Sequence, residues 1–445
     1  MRSVRWLLLT ATLLLLAGCG TAPAAQPAAP SAAWPTYHAD AARTGYSPGT
    51  PPLGRLTRAW VSPRLDGKIY AEPLAEGGRV FVVTENDTVY ALSLRTGHVV
   101  WRTHLGSPVP RSTLPCGDIN PTGITGTPVL DPATGTLYAV GFLRPYRHYL
   151  YALSSSDGKV LWRRRVDPAG SHPQVEQQRA ALAMAHDRVY VAYGGLAGDC
   201  GPYHGWVVGV PAGGKGKAVS YRVPTRREGG LWAPSGPAVD AAGNLFVATG
   251  NGSARHRYDQ GDSVLKLSPK LQLLSSFAPR HWALLNRTDR DLGSTGPALL
   301  GNHLLFQIGK QGVGYLLSTR RLGGIGGYLF RAPVCAAAFG GTAWDPPYLY
   351  VPCVNGLAAL RVGPGATFRV VWRGPAFRAG PPVVAGGAVW TVNLARGILM
   401  ALGMRHGQVR TQVHLGPTVP FTTPAVAGSR IVVATGQHAV ALAGA

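Results

Sequence analysis

The chain has 445 residues, of which 46% are hydrophobic and only 14% charged, with 59 glycines. Length alone suggests two or three domains, while the composition suits many short buried strands joined by tight turns. The formal net charge is +23. No run of adjacent basic residues exceeds Arg163-Arg164-Arg165 and no basic helix is written, which argues against nucleic acid as a partner. The charge points instead to an anionic envelope surface, an acidic polymer or an acidic medium, where few carboxylates need protonating.

Arg2 and Arg5 precede an apolar run from Leu7 to Leu16, closed by Ala17-Gly18-Cys19. This is the pattern of an export signal over residues 1–18, too short to span a bilayer. The cysteine makes it resemble a bacterial lipoprotein signal, which implies an extracytoplasmic chain lipidated at Cys19 and held to a membrane. Residues 19–33, rich in Ala and Pro, read as a loose tether.

From residue 34 to 445 the sequence repeats itself. Val89-Tyr90-Ala91-Leu92, Thr96-Gly97 and Trp101 return as Leu150-Tyr151-Ala152-Leu153, Asp157-Gly158 and Trp162. Each copy reads as a buried strand, a glycine turn and a strand carrying an aromatic, the unit of an all-β propeller. A Pro or Ala opens an apolar strand at Pro73, Pro128, Ala181, Pro237, Pro297, Ala343, Pro382 and Pro424. This predicts eight blades, with seven as the alternative because units three to five are irregular. The last unit lacks an outer strand, and Leu56 to Trp60 can supply it, closing the ring and removing its edge.

Cys116, Cys200, Cys335 and Cys353 allow three pairings in an oxidising compartment. Cys335–Cys353, within one blade, and Cys116–Cys200, between loops, is the favoured set. A zinc site is the alternative, without Cys-x-x-Cys spacing to support it.

Trp34-Pro35-Thr36-Tyr37, Arg43-Thr44-Gly45-Tyr46-Ser47-Pro48 and the Ala-Leu…Thr-Gly…Trp repeats resemble the propellers of pyrroloquinoline quinone (PQQ) dehydrogenases. The family also contains a non-catalytic lipoprotein of outer-membrane barrel assembly. Gly229-Gly230-Leu231-Trp232 and Thr249-Gly250-Asn251-Gly252 are similar to the stretch with the tryptophan floor and an asparagine metal ligand. Asp199 falls near the place of a glutamate ligand, Trp282 to Asp291 resembles the segment of the catalytic aspartate, and Lys310 resembles a quinone-contacting lysine. The resemblance implies Asp199 and Asn251 on calcium, Trp232, Lys310 and Asn251 on PQQ, and Asp289 or Asp291 as general base.

Each residue also has a plainer role: Trp232 packed between blades, Asn251 in a turn, Asp289 and Asp291 paired with neighbouring arginines. The paired cysteines of many relatives are replaced by Cys116-Gly117, and no Cys-x-x-Cys-His marks an internal haem. The favoured expectation is a monomeric, lipid-anchored binding scaffold of the cell envelope, whose partner is an envelope protein or anionic polymer. A PQQ- and calcium-dependent alcohol or sugar dehydrogenase, passing electrons to an external acceptor, is the alternative.

Overall fold

The structure is a computed structural model and describes residues 33–444. The expected signal, most of the tether, and the lipidation expected at Cys19 lie outside the described residues. Eight sheets, each built on four antiparallel strands, follow one another around a ring. Each unit runs from an innermost to an outermost strand, as in Leu74–Glu76, Arg79–Val83, Thr88–Ser93 and Val99–His104 of the first blade. The eight Pro or Ala markers stand at or just before the eight innermost strands, so the count of eight holds and seven does not.

The eighth blade takes Ala425–Ala427, Arg430–Thr435 and His438–Gly444 from the end of the chain and Leu56–Val61 from its start. Leu56 pairs with Gly444 and Trp60 with Ala441, antiparallel, so the ring closes with strands from both ends. Strands such as Thr136–Leu143 are buried along their whole length because neighbouring blades cover both faces.

The repeated Gly…Trp phrase is an inter-blade lock. Trp60 lies on Gly97 of the first blade, Trp101 on Gly158 of the second, Trp162 on Gly214 of the third, and Trp372 on Gly407 of the seventh. A Cβ at Gly97 would come within 2.5 Å of the Trp60 ring, so glycine is needed for contact as well as for its φ of +74°. The Trp60 indole donates to the Leu94 carbonyl at 2.8 Å, Trp101 to Ser155 at 3.1 Å, and Trp372 to Met404 at 2.9 Å. Each acceptor lies three residues before its glycine, which is why aromatic, turn and spacing repeat together.

The segment from Trp34 to Ser47 threads the centre of the ring, a role its sequence did not announce. Its backbone carbonyls at Pro35, Ala41, Ala42, Thr44 and Gly45 accept from Leu130, Val239, Leu299, Trp344 and Val384. Trp34 bridges Ala75, and the Arg43 guanidinium donates to Leu182 O at 2.9 Å and Pro237 O at 2.9 Å. Seven blades are thereby tied to one buried strand of chain.

Alternate connections emerge at opposite ends of an antiparallel blade. The loops between blades, and those joining second to third strands, therefore share one end of the ring. Both disulfides form there. Cys116–Cys200 ties two loops, and Cys335 of the connection entering blade six binds Cys353 at the end of that blade's second strand. The second bridge thus joins a connecting loop to a strand rather than two strands of one blade.

Two measurements test this account. Gly97→Ala meets both the ring and the φ cost, while Gly387→Ala, also at φ +74° but with open space around it, meets the φ cost alone. Urea denaturation is expected to show a loss of about 1 kcal/mol for Gly387→Ala and about 1–3 kcal/mol more for Gly97→Ala. Equal losses would contradict the lock.

Glu176 is buried and accepts from the Trp206 indole at 3.2 Å, and burial pushes its carboxyl up to about 7 from 4.5. The folded state therefore holds a proton that the unfolded chain has released, and stability falls as pH rises from 4.5 to 7. Glu72, Asp87 and Asp262 are raised by burial in the same direction, whereas buried His38, lowered to about 3 by burial, costs stability below pH 6.5. Glu176→Gln is expected to flatten the fall in stability between pH 5 and pH 8, by up to roughly 3 kcal/mol, in denaturant titrations across that range.

Candidate functional site

The candidate residues lie in loops at the end of the ring that carries the disulfides. Trp232 belongs to the connection between blades three and four, and Asn251 to the loop after Leu245–Ala248. Asp289 and Asp291 follow the short helix Trp282–Thr288 between blades four and five, and Lys310 follows Leu304–Gln307. The Pro279-to-Thr295 connection is long enough to carry a helix, which ends at Asp289 in the left-handed conformation with φ +52°. That turn sends Asp289 and Asp291 to the same lysine.

Lys310 Nζ lies 2.7 Å from Asp289 Oδ1 and 2.5 Å from Asp291 Oδ2. It also stands 5.7 Å from the centroid of the Trp232 ring. Asn251 joins from the other side: its backbone N–H donates to Asp291 Oδ1 at 2.7 Å and its amide to Asp289 Oδ1 at 2.8 Å. Asp289 is 70% exposed at the mouth while Asp291 is 7% exposed beneath it. Burial raises the Asp291 carboxyl, and the Lys310 ammonium opposes that rise. Burial also pulls on Lys310, but the two carboxylates outweigh it and hold the ammonium above its ordinary value.

One atom in this cluster has no partner. Asn251 Oδ1 is buried and accepts no hydrogen bond. An orphaned acceptor of this kind costs folding free energy, on the order of 1–3 kcal/mol, unless a donor or cation meets it. A hard cation suits an amide oxygen, and Trp232, only partly buried, offers a ring to a flat ligand. Residues of the types that would hold a quinone and a cation are thus present. Among the described residues, no three or more His, Cys, Asp or Glu side chains are grouped to hold a metal ion.

Asp199 makes no hydrogen bond or ion pair with the cluster among the described residues. It is exposed, at φ +51°, and its carboxylate accepts the Tyr203 hydroxyl at 2.6 Å. The acid nearer Asn251 along the chain path is Glu228, whose backbone bridges His204 on one side and Gly252 on the other. Burial raises the Glu228 carboxyl, Arg227 at 2.9 Å lowers it, and Asp199, Asp291 and Asp259 raise it further. An acid directly before Gly229-Gly230-Leu231-Trp232, in a chain with only 20 acidic residues, was the signal that could have drawn notice.

Phe339 and Phe421 were also not foreseen; their rings lie 6.3 Å and 6.4 Å from Trp232. Arg179, buried against Phe421 and Tyr70, donates to Thr125 O at 2.8 Å and Pro420 O at 3.2 Å. It forms no ion pair among the described residues, and carbonyl oxygens and aromatic faces meet its charge instead.

Lys310→Met would strand the buried Asp291 without its cation. Urea titrations are expected to show a loss of about 3 kcal/mol at pH 8, shrinking at pH 5 as Asp291 takes up a proton. A pH-independent loss would mean that the ion pair does not carry the effect.

Residues 58–194 match the family model described as outer membrane protein assembly factor BamB. Polyvinylalcohol dehydrogenase of Sphingopyxis sp. (strain 113P3) is 28% identical over 216 residues. That stretch covers 43% of this chain and 30% of that enzyme, so the likeness spans well under half of the relative. Among solved structures, the quinohemoprotein alcohol dehydrogenase from Comamonas testosteroni has a TM-score of 0.69 at 16% identity, over 92% of this chain and 80% of its own. BamB from Moraxella catarrhalis has a TM-score of 0.59 at 14% identity, over 87% and 97%. At such identities the structural likeness is one of fold. The family match is confined to residues 58–194, and over the rest of the ring the likeness to these proteins is that of an eight-bladed propeller fold.

Proposed function

We propose that this end of the propeller is a quinoprotein-type redox site that oxidises a hydroxyl group of a small molecule. The observation that carries the reading is the meeting of Lys310, Asp289 and Asp291 beside the Trp232 ring and the orphaned Asn251 Oδ1. Five residues from four separate loops gather in one place, in an arrangement that stability alone does not require.

Bound PQQ with calcium would supply the two-electron acceptor that no side chain provides. Trp232 would form the floor, and Asn251 Oδ1 would offer the cation a hard oxygen. Lys310 opposes the rise that burial imposes on the Asp291 carboxyl, and Asp291 would accept the proton of a substrate hydroxyl. Asp289, exposed at the mouth and sharing the same ammonium, would pass that proton to water. Electrons would leave to a separate acceptor. The two disulfides favour an oxidising compartment outside the cytoplasm, and anchoring through a lipid on Cys19 belongs to the same proposal.

A second reading has its own support. The family match to an assembly factor, with a net charge of +23, favours a monomeric envelope scaffold that binds a protein or an anionic polymer without turnover.

Reconstitution separates the two. With PQQ and Ca²⁺, the redox reading expects cofactor retained through gel filtration, a raised melting temperature and dye reduction with alcohols or sugars. Asp291→Asn should keep the cofactor and lose roughly 100-fold or more in turnover. No retention, with an unchanged melting temperature, would leave the scaffold reading.

A further inference from the structure

A cavity of about 560 Å³ opens at the same end of the ring, lined by Pro224, Arg226, Ser253, Arg257, Tyr258 and Asp259. Arg226 comes from the connection between blades three and four, and the others, apart from Pro224, from the loop that begins at Asn251. Its volume lies within the range of small-molecule sites.

The charges in this cavity are unequal in their freedom. Asp259 is engaged by the backbone, accepting from Ala254 N and Gly261 N at 3.1 Å each. Arg226 and Arg257 are exposed and enter none of the ion pairs found among the described residues. The neighbouring Arg227 is taken up by Glu228 at 2.9 Å. Two guanidinium groups outside any ion pair thus face the cavity against one carboxylate held by backbone N–H groups, and the net positive lining favours an anion.

The rest of the lining selects what carries the anion. The Tyr258 hydroxyl is held by Ser263 at 2.8 Å, so its ring rather than its O–H is fixed as wall. The Ser253 oxygen accepts from Arg227 N at 3.3 Å and keeps its own proton to donate. An aromatic wall, a hydroxyl donor and paired guanidinium groups match a hydroxylated ring that bears a carboxylate.

The loop that lines the cavity begins at Asn251 of the cluster around Lys310. Asn286 accepts from Gly252 N at 2.7 Å and donates to Ala254 O at 2.9 Å, fixing the loop that leads from Asn251 to the arginines. We propose that this cavity binds the carboxylate end of a sugar acid. Only the further step, in which a hydroxyl of that molecule reaches Asp291, rests on the redox reading.

Calorimetric titration of the purified chain with D-glucuronate, D-glucose and acetate tests this without any cofactor. Glucuronate should bind about tenfold or more tighter than either, and added salt should weaken it. The double variant Arg226→Gln/Arg257→Gln should lose about tenfold or more with an unchanged melting temperature, and Arg405→Gln, an exposed arginine in the turn between Ile398–Gly403 and Val409–His414 at the opposite end of the ring, should bind as the parent does. Equal binding of glucose or acetate, absence of glucuronate binding, or a double variant that binds like the parent would overturn the proposal. Glucuronate binding without PQQ retention would overturn the redox reading alone. PQQ retention without glucuronate binding would overturn the sugar-acid site alone.

Discussion

A tryptophan laid on the turn glycine of the next blade is the contact on which the ring depends. The packing occurs at four junctions, and at three of them a directional indole hydrogen bond accompanies it, which sets the joined blades at a defined angle. The lock between Trp60 and Gly97 matters most, because it joins the closing blade to the first. A ring closed in this way leaves no blade short of its outer strand, and the edges that remain are short. The central segment from Trp34 to Ser47 adds a second constraint, since an insertion there would break bonds to seven blades together. With the frame fixed from rim and centre, the loops at one end can carry groups that cost stability.

The cluster around Lys310 is such a group. Asp291 is buried against one ammonium, and Asn251 Oδ1 goes without a partner. Neither arrangement is what folding alone would select. The four tryptophan locks lie at junctions outside the stretch from blade three to blade six, and the cluster sits within that stretch. The regular part of the ring supplies rigidity, and the irregular part supplies long loops.

Local pattern made much of the architecture legible. The eight apolar strand openings, the Thr-Gly and Asp-Gly turns and the missing last strand are features of neighbouring residues, and eight blades follow from them. The central segment was not legible, because its carbonyls meet strands up to several hundred residues away and leave no periodic trace. For the same reason Trp232, Asn251, Asp289, Asp291 and Lys310 could be nominated only through a resemblance, and Glu228, Phe339, Phe421 and Arg179 not at all. Asp199 was nominated by its place in the chain, and its carboxylate accepts the Tyr203 hydroxyl rather than a group of the cluster. The buried carboxyls raised by burial favour folding at low pH, a property that composition alone did not reveal because it depends on which acids the blades enclose.

The central functional claim is that Asn251 Oδ1 is left open for a cation beside an indole. Terbium, a hard trivalent cation with oxygen preference, tests it through luminescence sensitised by nearby tryptophan. Titration of the parent chain should give saturable sensitised emission that Ca²⁺ displaces, and Trp232→Phe and Asn251→Ala should each abolish it. Emission absent from the parent, or undiminished in both variants, would contradict the account.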